Sequence, residues 1–182
     1  MLTSLEDNPM AKPKIQTLFI LNDGAFPNNE TLSLILMIQV FDPATKNLVR
    51  SIEKTFHGNA WEGSWRNGIF TFHHYHSTAH EALGLYSGRV RVQFGGPDGQ
   101  AVTAKAGDVI IIPAGVSHKN IDRSPDFRCV GAYPAGQSPD MLYGKPGERP
   151  LADQNIRSVP LPKTDPVYGK NGPLLDIWQR GV

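Results

Sequence analysis

Val109-Ile110-Ile111-Ile112 is a run of four apolar β-formers held between two turn signals, Ala106-Gly107-Asp108 and Pro113-Ala114-Gly115. A segment this short and this tightly bracketed reads as a strand rather than a helix. Its side chains are apolar at both parities, so both faces need cover. Other short runs follow the same plan through residues 62–133: 69–76, 82–86, 89–94, 102–104 and 127–133, parted by Gly88 and by Gly95-Gly96-Pro97-Asp98-Gly99. Many short strands at this spacing indicate a β-sandwich or barrel. In 89–94 the alternation puts Arg89, Arg91 and Gln93 on one face and Val90, Val92 and Phe94 on the other; the polar face is expected outside, and turned inward it would make Arg91 and Gln93 substrate contacts.

The flanks of this core, 62–133, read differently. Residues 1–61 are expected to form an N-terminal arm packed on the barrel. In it, 15–21 reads as a strand closed by Asn22-Asp23-Gly24, and 32–41 is apolar without deciding between strand and buried helix. Asp42-Pro43 is a good helix opening, and Leu48, Val49, Ile52 and Phe56 recur at helical spacing before Gly58, which predicts a helix over about 43–57. Trp61 and Trp65 flank a segment expected to be a linker. Eight of the 15 prolines lie from Pro134 to Pro173, a density that excludes long helices and central strands. One short helix fits within 148–157, and Leu174, Leu175, Ile177 and Trp178 look like an anchor. Residues 134–182 are therefore expected to wrap the barrel, the whole forming one domain.

His74-Tyr75-His76, followed by Glu81, carries the chemistry. In a strand, alternate residues share a face. His74 and His76 can then chelate one ion, with Phe70 and Phe72 as an apolar floor, while His73 and Tyr75 point away. Ser77 to His80 turns the chain and can bring Glu81 beside the imidazoles, and His80 then faces away. His73 and His80 are accordingly expected at the surface or behind the ligands. His118 is a further imidazole that could close the set. Imidazole and carboxylate together suit a transition ion, and gathering such groups in a core without one is costly. Asn120 and Asp122 read as turn residues.

The segment Gly68-x5-His74-x-His76-x4-Glu81-x6-Gly88 resembles the first motif of the cupins at every fixed position, and Gly107-x5-Pro113-x-Gly115-x2-His118 resembles the second up to its histidine. Where that motif ends in asparagine, this chain has Asp122. The resemblance covers residues 68–133. It implies an all-β fold, the cupin double-stranded β-helix (an RmlC-like jelly-roll barrel). It also implies a metal held by three histidines and a glutamate, which map onto His74, His76, Glu81 and His118. Such a set leaves about two positions open on an octahedral ion. One divalent transition ion per chain is expected, and Fe, Mn, Ni, Co, Cu and Zn all suit the donors. The whole chain is similar to a group of small single-domain bacterial cupins, a likeness that brings no reaction with it. Acireductone dioxygenases are similar in the HxH-x4-E and Pro-Ala-Gly-x-x-His segments only.

The expected function is that of a metal-dependent enzyme, an oxygenase or isomerase, acting on a small chelating molecule. No separate catalytic base can be named. The alternatives are a non-catalytic cupin that binds a small ligand and an acireductone-dioxygenase-like activity. A formal net charge of +1 gives no case for nucleic acid or a membrane surface as partner. Cys129 is the sole cysteine and is expected to be a buried small residue. The stretch from Met1 to Lys14 lacks an apolar signal-peptide core, and residues 32–41 fall short of the roughly 20 needed to span a bilayer. A cytoplasmic protein is expected. A homodimer is expected too, because residues 32–41 and 109–112 need cover.

Overall fold

In the computed structural model, which describes residues 13–179, the elements in chain order are β1 (Lys14–Ile20), β2 (Asn29–Ile38), α1 (Leu48–Gly58), β3 (Trp61–Asn67), β4 (Glu81–Ser87), β5 (Arg89–Phe94), β6 (Gln100–Lys105), β7 (Val109–Ile112), β8 (His118–Arg123), β9 (Arg128–Pro134), α2 (Leu151–Ser158) and α3 (Pro173–Gln179). The N-terminal stretch read for a signal peptide lies, up to residue 12, outside the described residues. The strands form two antiparallel sheets. One has six strands in the order β1-β2-β7-β4-β9-β3, and the other has three in the order β6-β5-β8. This is the all-β jelly roll. No helix among the described residues is long and apolar enough to cross a membrane.

Side-chain parity builds the layers. Leu34, Leu36, Leu83, Leu85, Ile110 and Ile112 point between the sheets and meet Val90, Val92 and Phe94 of the smaller sheet. Ile35, Met37, Ala82, Val109 and Ile111 point the opposite way and are buried with Leu48, Ile52 and Phe56 of α1 and Leu174 and Trp178 of α3. The six-stranded sheet is thus covered on both faces, as the doubly apolar 109–112 run demanded. The cover comes from within the chain, so 32–41 and 109–112 no longer supply a motive for a dimer. The smaller sheet turns Arg89 and Arg91 to solvent.

α1 docks by three residues at i, i+4 and i+8, each fully buried side chain contributing about 1.5–3 kcal/mol. Gly84 makes the approach possible: a Cβ there would lie 2.5 Å from Ile52 Cγ2. The helix begins later than the expected 43. Asp42 takes the Ala44 N–H on its side chain (2.9 Å) and the Thr45 N–H on its carbonyl (3.0 Å), closing a turn instead of capping a helix. Asn47, in the left-handed region at φ 64°, precedes the first helical residue.

Other expectations are corrected by strand pairing. The 15–21 and 32–41 segments are β1 and β2, so the N-terminal arm supplies two strands of the main sheet rather than lying on it. The linker at Trp61 and Trp65 is β3, paired with β9. Asn120 and Asp122 lie in β8 rather than in a turn. Residues 69–76, expected as one strand, form an irregular segment with bridges only at His74 and Tyr75.

Two indoles join the barrel and the tail. The Trp61 indole donates to the Thr164 carbonyl at 3.0 Å and the Trp178 indole to the Ser33 carbonyl at 2.9 Å. Asp165, buried, accepts the N–H groups of Val167, Tyr168 and Leu174 at 2.8–3.1 Å and so seats the start of α3.

Candidate metal centre

His74, His76, Glu81 and His118 converge at one end of the space between the sheets. His118 opens β8 and sits opposite Phe94. Glu81 opens β4 and shares the inward parity of Leu83 and Leu85. His74 reaches the site from the irregular segment through a direct backbone exchange with His118: its N–H donates to the His118 carbonyl at 3.3 Å, and the His118 N–H donates back at 2.9 Å. Tyr75 makes the same exchange with Leu142, at 2.9 and 3.0 Å, and turns outward, where its hydroxyl donates to Glu148 Oε2 at 3.0 Å. Two bridged residues are enough to restore strand alternation, so His74 and His76 face inward.

The alternation does not extend back to residue 69. Phe70 and Phe72, expected as a floor beneath the ion, are each 45% exposed and stack on one another at the rim, 4.8 Å between centroids. His73 is turned out of the site, with Nδ1 3.2 Å from Ser117 Oγ. His80 also faces away, yet it is not at the surface: it is buried against Trp178, and its Nδ1 accepts the Ala114 N–H at 2.9 Å. Burial pulls the His80 pKa down to about 3, partly offset by the Pro160 carbonyl. Cys129 is buried, and burial raises its thiol pKa.

One ligand atom from each of His74, His76 and His118 lies within 4.8 Å of the others. Glu81 Oε2 is 3.3 Å from His118 Nε2 and 3.7 Å from His76 Nε2. Two atoms each about 2.0–2.2 Å from a common ion stand roughly 2.8–3.6 Å apart when their bonds meet between a right angle and a tetrahedral one. These separations are close to that range.

The outward nitrogens decide what the site wants. Nδ1 of His74 faces the Phe72 carbonyl at 3.2 Å, Nδ1 of His118 faces the Val116 carbonyl at 3.1 Å, and Nδ1 of His76 faces the Asp140 carbonyl. A carbonyl only accepts, so each Nδ1 carries a proton, and in the neutral ring that a metal binds each Nε2 is a lone pair. In that form three lone pairs and the Glu81 carboxylate converge on one point. Glu81 Oε2 is buried without a hydrogen-bond partner. A divalent cation satisfies this set; an apolar core does not. The electrostatics agree. Burial, then the neighbouring His118, brings the His74 pKa down to about 3. Burial raises the Glu81 pKa, but His76, His118 and His74 outweigh it and hold the carboxyl at about 2. His74 is neutral and Glu81 ionised at neutral pH, the forms in which each binds a metal.

Above the four residues is a cavity of about 250 Å³, walled by Trp65, Ile69, Phe70, Leu83, Tyr133 and Met141. Tyr133 shares the inward parity of Cys129 on β9, the signal the sequence offered for it. The Trp65 indole lies flat against Gly131, where a Cβ would fall 2.1 Å from two ring carbons, and its Nε1 donates to the Tyr133 hydroxyl at 2.8 Å. Burial first, and then the Glu81 charge, raises the Tyr133 pKa. Asp140 had no local signal. Its carbonyl orients His76, and its carboxylate accepts the Ser77 N–H at 2.5 Å and the Ser77 hydroxyl.

A family model described as Cupin domain matches residues 66–130. Uncharacterized protein YjlB of Bacillus subtilis (strain 168) is 42% identical over 163 residues, which cover 90% of this chain and 96% of that protein. Among solved structures, a DUF861-family protein of Thermotoga maritima is 22% identical with a TM-score of 0.31, over 50% of this chain and 92% of its own. Acireductone dioxygenase of Bacillus anthracis, with a cadmium ion in its active centre, is 16% identical with a TM-score of 0.37, over 51% of this chain and 64% of its own.

Proposed function

The chain belongs to the cupin superfamily, and from that premise we propose that it is a metal-dependent enzyme, of oxygenase or isomerase type, for a small chelating organic molecule. His74, His76, His118 and Glu81 would hold one divalent transition ion. The observation that carries this reading is the tautomer lock: each imidazole spends its Nδ1 proton on a backbone carbonyl and offers Nε2 inward, beside a carboxylate oxygen that has no other partner. A bound ion with open positions supplies Lewis acidity or activation of dioxygen.

The protein's own part is to hold the donors, exclude water and shape the space around them. At about 250 Å³ the cavity falls below the roughly 300–1,000 Å³ of common ligand pockets, so the molecule it admits is small. No imidazole or carboxylate beyond the four lines it among the described residues. That observation favours, as a second reading, a cupin that binds a small ligand without turning it over.

Elemental analysis of the purified protein tests the metal. The expected result is one equivalent per chain in the wild type and little in His76→Ala or His118→Ala. Protein that neither carries nor takes up an ion sinks the proposal. A screen of small chelators, followed by product analysis under air and under nitrogen, then separates turnover from binding.

A further inference from the structure

We propose that the cavity selects a monoanionic chelator bearing an apolar group, and that the Tyr133 hydroxyl is the donor that orients it; this rests on the metal reading above. Three observations lead there. The first is a hydrogen-bond direction. Indole nitrogen only donates, so the 2.8 Å contact from Trp65 fills an acceptor position on the Tyr133 oxygen and leaves the phenol proton for another partner. The acceptor beside it is the Glu81 carboxylate, and an ion engaging that carboxylate would leave the proton to a ligand. Tyr133 lies in the cavity wall beside Glu81, so a molecule held next to Glu81 is within its reach.

The second is charge. With three neutral imidazoles and one carboxylate, a divalent ion leaves the centre one positive charge in excess, which a monoanion neutralises. A second negative charge would need a cation. Among the described residues lining the cavity Arg66 is the one candidate, and both Glu53 oxygens hold its guanidinium at 2.6 and 2.7 Å. An unpaired charge in a low-dielectric cavity is disfavoured.

The third is the mouth. Phe70, Phe72 and Tyr143 are 42–45% exposed and pack in a row, with Phe70 and Phe72 centroids 4.8 Å apart and Phe72 and Tyr143 5.9 Å apart. Phe70 and Met141 line the cavity itself, and the row that continues from Phe70 through Phe72 to Tyr143 gives an apolar surface that a substituent of the ligand would cover.

The test uses the full chain loaded with cobalt(II), read by its visible absorption and by calorimetry, with phenyllactate, lactate and malate as probes. Phenyllactate is expected to bind at least about tenfold more tightly than lactate, and malate more weakly than lactate, although malate chelates free ions better. Tyr133→Phe should weaken phenyllactate by about tenfold or more, the size of one hydrogen bond to a charged group, with cobalt content unchanged and Tm lowered by a few degrees, because the Trp65 N–H loses its acceptor. Phe70→Ala should erase the advantage of phenyllactate over lactate. Glu53→Gln, a change outside the cavity, should release Arg66 and raise malate affinity more than lactate affinity. Malate binding as well as lactate in the wild type overturns the charge argument. A Tyr133→Phe protein that loses cobalt affinity instead of ligand affinity would make Tyr133 a support for Glu81 and overturn its assigned role. Failure to take up cobalt at all would sink the metal reading itself, a result distinct from either.

Discussion

Replacing Asp140 by alanine should weaken metal binding without touching a ligand. Residue 140 is tied to residues 76–78 by four contacts: its carbonyl to His76 Nδ1, its carboxylate to the Ser77 N–H at 2.5 Å and to the Ser77 hydroxyl, and its N–H to Thr78 Oγ1 at 3.0 Å. Alanine keeps the backbone contacts and removes the carboxylate ones. Hydrogen bonds to a charged group are worth about 1.5–3 kcal/mol each, so losing the two should cost about 3–6 kcal/mol of folding stability, or roughly 6–24 °C in Tm. The carbonyl that orients His76 is then held less firmly, and loss of such orienting partners costs about 10–100-fold in metal affinity. Competition against a chromophoric chelator reads the affinity, and a circular-dichroism melt reads the stability. Asp140→Asn, which keeps one acceptor oxygen, should fall between. Asp122→Ala removes a carboxylate contact to Arg89 (2.8 Å) on the exposed strand and should leave metal affinity unmoved. If Asp140→Ala binds the ion within twofold of wild type, the carboxylate clamp does not set the position of His76 and the reasoning fails.

Other outcomes follow from the same contacts. His76→Ala and His118→Ala should abolish stoichiometric metal and keep the wild-type far-UV spectrum; collapse of the fold would make the ion structural. In the metal-free protein the His80 pKa is lowered to about 3, against roughly 6.5 for the unfolded chain. Between those values the unfolded state takes a proton that the folded state refuses, so stability must fall as pH falls from 6.5, by up to about 1.4 kcal/mol per pH unit. Urea midpoints from pH 7.5 to 5 should show this slope, reduced in His80→Gln, and a flat wild-type profile would contradict it. Gly84→Ala drives a methyl to within 2.5 Å of Ile52 Cγ2 and should cost about 1–3 kcal/mol in urea unfolding. Adding Ile52→Ala should then destabilise by less than the sum of the two single changes.

The parts of the site that could be read in the sequence are those encoded locally. His74, His76 and Glu81 lie within eight residues, and side-chain alternation at 74–76 is all the geometry they need. The alternation fails further back, at Phe70 and Phe72, because the backbone there is held by separate partners rather than by one continuous ladder. Trp65 and Tyr133 were hidden by a pairing 68 residues apart in the chain, with nothing in β3 announcing its place beside β9. Asp140 was harder still, because it serves His76 through a backbone carbonyl that any residue type could supply. The layers were more legible than the edges. Parity in β5 and β7 dictated what faced inward, whereas the start of α1 turned on whether Asp42 would cap a helix or close a turn.

The reciprocal backbone exchange between His74 and His118 divides the labour of binding. Those two imidazoles are set by main-chain pairing inside the barrel, so no ion is required to bring them together. His76 depends on a carbonyl from the tail, across 64 residues. The centre thus has a hinge side and a latch side. Loading and loss of an ion should proceed through the latch, and hydrogen exchange should find the amides of His74 and His118 slower than those of residues 140 and 142.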